Sequence, residues 1–526
     1  MVKTRFNLFQ VVTMLALAFM VIFLWQFIPP LFASPGPMWT WMQQYWFPEV
    51  LFETLGLVMG AVLLSLIIGV SLGYWMSFYR LPFARLWDIL LVLPLAMPAY
   101  LLGYIYGFLF AGPWQNPWVV ITNMPGAIFI FSLTLYPYVY LATRSFLSKQ
   151  PQAMYSAAKS LGSHPFSMFW RIVFPLMRPA MVGASVLVAM EVINDYGLVQ
   201  YFGLRVYSTT IFQSWFNGND LNTAVRFSFQ LILVIVVILW LEASLRKSFK
   251  YSYATTQIKP LMKAKLPATS AWLFYGLALL TVGLAIGIPL FQMISWLPAV
   301  PTRIFNEVYW DGFLSTILMA FYPTIIILVL ALCIANFQRV FPRPWKKWLQ
   351  RILTLGYALP GAVIAVGMML MWVPVDQFFV SVFGGDRLWI SGSLMLLTMA
   401  LILRFFAVAN QLIESTYHKI GMKYTQASYG LGRPPLKTLI AVDLPLISHG
   451  VVAAGLIVMV DLFKELPLTL ILRPFNFHTL ATYLYQYAGD EQINVASPMA
   501  LTLVALTAFA VALASDMMLK VNTYES

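Results

Sequence analysis

The sequence predicts an all-α polytopic membrane protein, with about twelve transmembrane helices arranged as two tandem parallel six-helix repeats. Three observations predict it: the apolar composition, the number and length of the apolar runs, and a polar segment that returns 270 residues later.

Of 526 residues, 61% are hydrophobic and 10% charged, and the mean hydropathy is +0.79. A water-soluble chain of this make-up would leave long apolar runs exposed, so its solvent is the bilayer. A hydrocarbon core of about 30 Å takes roughly 20 apolar residues of helix. Runs of that length lie near 8–27, 52–77, 87–111, 119–142, 180–202, 228–244, 271–297, 313–336, 352–373, 389–409, 446–468 and 499–519. The first run is longer than the apolar region of a cleavable signal peptide and is read as a retained helix.

Basic loops stay on the cytoplasmic side of a membrane. With the N-terminus inside, 26 of the 32 Lys and Arg fall on inside segments, Arg144, Arg339, Arg404 and Lys520 among them. Five lie outside (Arg205, Arg226, Arg303, Arg387 and Arg473), and Lys464 sits within a span. Topology therefore accounts for the net charge of +13, and a nucleic-acid partner is not needed. The single cysteine, Cys333, excludes a disulfide framework or a cysteine metal cluster within the chain. His164, His418, His449 and His478 are too scattered to form a histidine metal site.

The repeated segment is AAKSLGSHPFSMFWRIVFPL at 157–176 and ASYGLGRPPLKTLIAVDLPL at 427–446. Gly162 aligns with Gly432 and Pro175 with Pro445, and the same offset of 270 carries on through Glu191 with Asp461, Asp195 with Glu465, Gly197 with Pro467 and Thr209 with Thr479. Earlier in each half, Thr54 with Thr316 and Pro98 with Pro360 align at 262. Six crossings per repeat return each half to the same face, so both copies of the segment face one side. The division expected is a first half over 1–245, a linker over 246–269 rich in Lys and Arg, and a second half over 270–526. Glycine supplies a left-handed turn and Pro165 a helix start, which predicts a helical hairpin whose second arm carries Phe166, Phe169 and Trp170 on one face.

These residues resemble the cytoplasmic "EAA" loop of ATP-binding-cassette (ABC) importer permeases, in which Glu-Ala-Ala is followed by three residues, Gly, nine residues and Ile-x-Leu-Pro. The first copy supplies Ser156, Ala157, Ala158, Gly162, Ile172 and Pro175; the second supplies Gln426, Ala427, Ser428, Gly432, Val442 and Pro445. The glutamate is missing from both. The resemblance implies the type I ABC importer permease fold, with coupling loops near 144–178 and 410–445 that each dock one subunit of an ATPase dimer. No Gly-x4-Gly-Lys-Ser/Thr loop occurs in the chain, so ATP and Mg²⁺ are expected on that partner and no cofactor on this chain.

Glu191, Asp195, Asp461 and Glu465 lie in the predicted fifth and eleventh spans, each pair spaced by four residues and so on one helix face. Acids inside a membrane are costly unless paired or facing water, which makes them candidates for a translocation pathway. Carboxylate oxygens suit a hard cation; thiamine and polyamines carry positive charge as well. LPLAMPAYLLGYIYGFLF at 93–110, LYPYVYLATRSF at 135–146 and EVINDYGLVQYFGLRVYSTTIFQSWF at 191–216 resemble the fused permeases of ferric-iron importers. That resemblance implies a multi-pass inner-membrane permease with both termini cytoplasmic, fed by a periplasmic ferric-iron-binding protein. Importers of the same class for thiamine, a polyamine or a phosphonate are the near alternatives; a passive channel or a polytopic membrane enzyme would be of another class.

Overall fold

The computed structural model describes residues 8–115, 120–148, 150, 155, 158, 160, 162, 164–247, 263–265, 268–302, 304–340, 346–384 and 388–523. Ala157 and most of the linker lie outside these described residues. The first half begins with α1 (Leu8–Trp25), α2 (Phe47–Phe78), α3 (Ala84–Val92), α4 (Ala99–Ala111) and α5 (Met124–Ser148). It continues with α6 (Phe174–Asn194), α7 (Gly197–Tyr201), α8 (Tyr207–Phe216) and α9 (Leu221–Lys247). After the linker come α10 (Ala268–Val282), α11 (Ile288–Trp296), α12 (Tyr309–Val340), α13 (Lys346–Thr354), α14 (Gly361–Phe383) and α15 (Leu394–Ile420). The chain ends with α16 (Lys423–Gly430), α17 (Pro435–Thr438), α18 (Leu444–Phe463), α19 (Pro467–Leu472), α20 (Leu480–Gly489) and α21 (Ser497–Thr523).

Among the described residues, eleven helices are long and apolar enough to cross a membrane, or twelve when the bent pair Ala84–Ala96 and Ala99–Ala111 counts as one broken span. That pair turns by 85° at Pro98, whose extended backbone (φ −62°, ψ 136°) stops one helix before the next begins. Pro360 does the same in the second half (φ −59°, ψ 147°). The span predicted at 352–373 therefore starts later, at Gly361, and runs to Phe383.

Contacts divide the chain into two compact units. One comprises 41–210 and 230–296. Its centre is the pairing of α2 with α5, where Gly69 and Gly73 leave room for a close backbone approach: a Cβ on Gly69 would lie 2.6 Å from Cβ of Val139, and one on Gly73 2.8 Å from Cγ2 of Thr143. Helix α10 completes this unit by burying Phe274 against Leu72, Met76 and Tyr140. Tyr79–Arg80 also pairs in parallel with Ala264–Lys265. The other unit comprises 1–40, 211–229 and 297–526. Here the positions of Gly69 and Gly73 are taken by Ala331 and Ala335, both buried in α12, small again and again spaced by four. Helix α1 lies against α12 and α14, with Phe23 and Phe27 buried edge to face at 5.6 Å. The first helix of the chain thus packs in the unit formed mainly by the second sequence half.

Candidate functional site

Two constellations recur in both halves: the helical hairpin and a break in the helix that follows it. From the glycine onward, both copies of the hairpin fold as their residues dictate. Gly162 and Gly432 both adopt φ +78°, where a Cβ meets nothing but the backbone itself resists an L side chain. Pro165 and Pro435 open the short second arms, Pro165–Met168 and Pro435–Thr438. In both copies one wide turn, Phe169–Val173 and Leu439–Asp443, then leads into the long helix. Pro175 and Pro445 lie at the second position of those long helices, directly after the wide turns, so their missing N–H falls where the hydrogen-bond register of the continuous helix changes. Around the glycines, Ala158 and Ser428 are buried whereas Ala427 is exposed. The aromatic arm keeps Phe166 70% and Trp170 49% exposed, and Leu431 in the second copy is 84% exposed. Each hairpin therefore presents apolar side chains that nothing within its own unit covers.

The interiors of the hairpins differ. In the first, the ring of Phe169 meets Tyr74 at 5.1 Å and Tyr155 meets Phe78 at 4.9 Å, over a buried Val173. In the second, the residue 270 positions on is Asp443, only 2% exposed. Its carboxylate accepts from Thr425 Oγ1 at 2.6 Å, Arg339 Nη1 at 3.3 Å and Asn336 Nδ2 at 3.4 Å. Ser428 and Thr438 hydroxyls pair at 2.9 Å beside it. Sequence reasoning passed over Asp443; an acid flanked by Val and Leu-Pro inside an apolar run was the available signal.

Both long helices break at the predicted acids, but the acids are not on one helix face. Helix α6 ends at Asn194, and Asp195 is extended; α18 ends at Phe463, two residues before Glu465. The spacing-of-four argument fails because the second acid of each pair caps the next short helix instead of continuing the first. Asp195 Oδ1 accepts from Leu198 N at 2.9 Å and Val199 N at 3.4 Å. Glu465 accepts from Leu468 N at 3.0 Å, Thr469 N at 3.0 Å and Thr469 Oγ1 at 2.9 Å. Gly197 and Pro467 are the first residues of the helices so capped. Glu191 and Asp461 remain within α6 and α18 and are half-buried; Asp461 pairs with Lys464 at 3.3 Å.

Arg404 corrects the charge map. It is buried in the middle of α15, not in a basic loop, and its Nη1 donates to Glu465 Oε1 at 3.0 Å. A basic residue deep in an apolar run with an acid in another run was the signal that could have paired them.

Beyond the breaks the repeat register also shifts. Val206 N donates to Thr209 Oγ1 and Tyr207 N to Thr54 Oγ1 (3.1 and 3.2 Å). In the second half the matching bonds are Thr479 N to Thr482 Oγ1 and Leu480 N to Thr316 Oγ1 (2.8 Å each). Thr209 is thus equivalent to Thr482, not Thr479, because α19 is one residue longer than α7 and the loop before α20 two residues longer than that before α8. The alignment of Thr54 with Thr316 is reproduced by these bonds.

Comparison with known proteins adds two findings. Residues 65–250 match the family model described as the inner membrane component of binding-protein-dependent transport systems. The chain is also similar to the Fe(3+)-transport system permease protein FbpB 2 of Haemophilus influenzae, 25% identical over 389 residues that cover 72% of this chain and 74% of that protein.

Proposed function

We propose that this chain, a multi-pass inner-membrane permease of a binding-protein-dependent ABC importer and so a transport subunit and not an enzyme, forms the pathway for ferric iron. A substrate-binding protein and an ATPase are its partners in such a system. The observation that carries the iron reading is the likeness, across most of both chains, to a permease whose name specifies Fe(3+). The binding protein is then a periplasmic ferric-iron carrier.

Two hairpins with the same glycine conformation and the same wide turn offer two equivalent faces, which fits an ATPase dimer with one subunit per hairpin. On this reading Ala157, Ala158, Gly162 and Pro175, and Ala427, Ser428, Gly432 and Pro445, belong to the docking elements. Both hairpins and both termini face the cytoplasm, and moving Arg404 into a span leaves the excess of Lys and Arg on that side intact. ATP and Mg²⁺ belong to the ATPase. Hydrolysis biases the permease only through a preference of the ATPase for one arrangement of the hairpins.

Along the pathway the four acids divide their work. Glu191 and Asp461 stand one turn before the breaks and face the cargo, while Asp195 and Glu465 hold the breaks open as caps. Carboxylates at the breaks attract a hard cation and disfavour an anion such as a phosphonate.

The test is uptake of radiolabelled ferric iron, delivered by its binding protein, into vesicles containing the reconstituted importer. ATP-dependent uptake that thiamine and polyamines do not compete away is expected; transport of one of those cargoes in place of iron would overturn the iron reading. Gly162→Asp with Gly432→Asp should abolish co-purification with the ATPase, and normal transport by that variant would refute docking.

A further inference from the structure

Helix α15 connects the second hairpin to the second break. At one end it leads through Gly421, at φ +70°, directly into α16 of the hairpin. There the Arg339 guanidinium donates to the Gly421 carbonyl and, at 3.3 Å, to Asp443 in the hairpin's wide turn. Arg404 lies sixteen residues before the end of α15 at Ile420, about 24 Å along the axis at 1.5 Å per residue. It holds Glu465, the residue that caps α19. Gly361, the first residue of α14 after the Pro360 break, is pressed against the same group: a Cβ there would lie 2.7 Å from Arg404 Nη1 and 3.0 Å from Cβ of Pro467. Two backbone breaks, before α14 and before α19, therefore meet at one guanidinium.

Among the described residues, the first half shows no such tie. Helix α5 begins at Met124, 270 residues before Leu394, which puts Thr134 at the position of Arg404. Its hydroxyl turns back to the carbonyls of Ile130 and Phe131 in its own helix, at 3.2 Å each. Asp195 caps α7 just as Glu465 caps α19, but the Thr134 position of α5 supplies no side chain to hold that cap.

A buried ion pair adds little net stability, because desolvation consumes most of its Coulomb energy, yet separating its partners is costly. It resists stretching, and so passes on a displacement that apolar packing would absorb by sliding. We propose that the Arg404–Glu465 pair is the contact that couples the second hairpin to the pathway. When the ATPase moves that hairpin, α15 carries Arg404, and Arg404 carries the break between α18 and α19 as one body. Arg404 is a positioning residue, acting through Glu465 without touching cargo. The two halves are then mechanically unequal: the second break is driven directly, and the first follows through packing. This inference rests on the hairpins being the docking sites of the ATPase.

The experiment uses the complete importer in vesicles and reads ferric iron taken up per ATP hydrolysed. R404M/E465Q removes both charges, while the amide oxygen that replaces the Glu465 carboxylate can still accept from Leu468 N. The expected result is a complex that retains its ATPase and hydrolyses ATP, with iron per ATP lower by about three- to thirtyfold, the range that altered coupling between sites spans. An unchanged ratio overturns the proposal. A second measurement needs no change to the pair: spin labels at the exposed Gln411 and Phe475, in a Cys333→Ala background, report the distance from α15 to the end of α19. That distance should stay constant between nucleotide-free and ATP-trapped states, while labels at the exposed Leu141 and Arg205 in the first half move apart or together. Equal changes in both halves overturn the proposal. Failure of docking has its own signature, normal uptake by the Gly162→Asp and Gly432→Asp double variant, and failure of the iron reading shows as absent iron uptake by the unaltered protein.

Discussion

The two hairpins share a glycine turn and a second arm and differ in what holds them. Both glycines sit at φ +78° and both second arms pass through the same wide turn. The first is packed by rings of Phe169, Tyr74, Tyr155 and Phe78 over Val173; the second is knotted by Asp443 with Arg339, Asn336 and Thr425. The breaks repeat the contrast, a cap at Asp195 made to backbone alone against a cap held by Arg404 at Glu465. Geometry at the glycine turns and second arms is thus kept while the chemistry behind them diverges, and in the second half that chemistry is ionic from hairpin to break.

The contrast is broken most severely at Asp443. Replacing it by Ala leaves the Arg339 guanidinium, whose side chain is only 10% exposed, without its carboxylate, and should cost about 3–5 kcal/mol. Val173→Ala, the matching change in the first half, removes only buried methyl groups and should cost about 1–3 kcal/mol. Thermal unfolding of the purified complex compares the two. Equal losses would mean that the polar knot is no stiffer than the ring stack.

Cargo attraction offers the next comparison. Asp461 already has Lys464 at 3.3 Å and Glu465 has Arg404 at 3.0 Å, so the second-half acids are largely neutralised. Asp461→Asn, which leaves the Lys464 charge uncompensated, should therefore lower iron uptake at limiting cargo by about tenfold, within the range of electrostatic steering, and Asp461→Asn with Lys464→Met, which removes both charges, by less. Uptake and ATPase co-purification are measured together; equal loss from both variants would show that local charge is not what acts.

Where the halves are alike, they should respond alike. Gly162→Ala and Gly432→Ala face the same left-handed backbone and empty surroundings, so each should cost about 1–2 kcal/mol. Unequal shifts in the unfolding midpoint would show that the two turns are held differently after all.

Much of this was legible in the sequence because it is written in local patterns. Apolar run length gave the spans and the Gly-to-Pro spacing gave the hairpins, whereas the spans expected over 87–111 and 352–373 run straight through Pro98 and Pro360, where the helices break. What was not legible depended on pairs far apart in the chain. Arg404 lies inside the apolar run at 389–409, but its role there is not legible until Glu465, 61 residues away, is placed beside it. Helical periodicity also misplaced Asp195 and Glu465, since it continues a helix through residues that in fact cap the next one. The capping signal is present, an acid two residues before Gly197 or Pro467, but it coincides with a spacing of four that a continuous helix would show equally well. The three-residue shift at Thr482 escaped because no motif follows it to restore the register.

The longer loop that contributes to this shift makes the smallest prediction and the one most specific to the second half. Arg473 Nη1 lies 2.8 Å from the Phe477 carbonyl and 3.0 Å from His478 Nε2, and the His478 ring stacks on Tyr483 at 4.6 Å, whose hydroxyl reaches Asp311. Arg473 can only donate, so Nε2 must accept, and the imidazole is bound in its neutral form. Burial, then the Arg473 charge, hold His478 below the usual histidine range, with Asp311 opposing. A histidine whose folded pKa is depressed binds its proton more readily when unfolded, so stability is lost as pH falls through the unfolded value, about 6.5. The loop before α20 should therefore loosen between neutral and mildly acidic pH, read as lower hydrogen-exchange protection factors across 473–480, relative to the intrinsic rate at each pH. His478→Gln, which can still accept from Arg473, should flatten that dependence. The corresponding first-half loop contains no histidine and should show no such dependence; a slope shared by both loops would place its origin elsewhere.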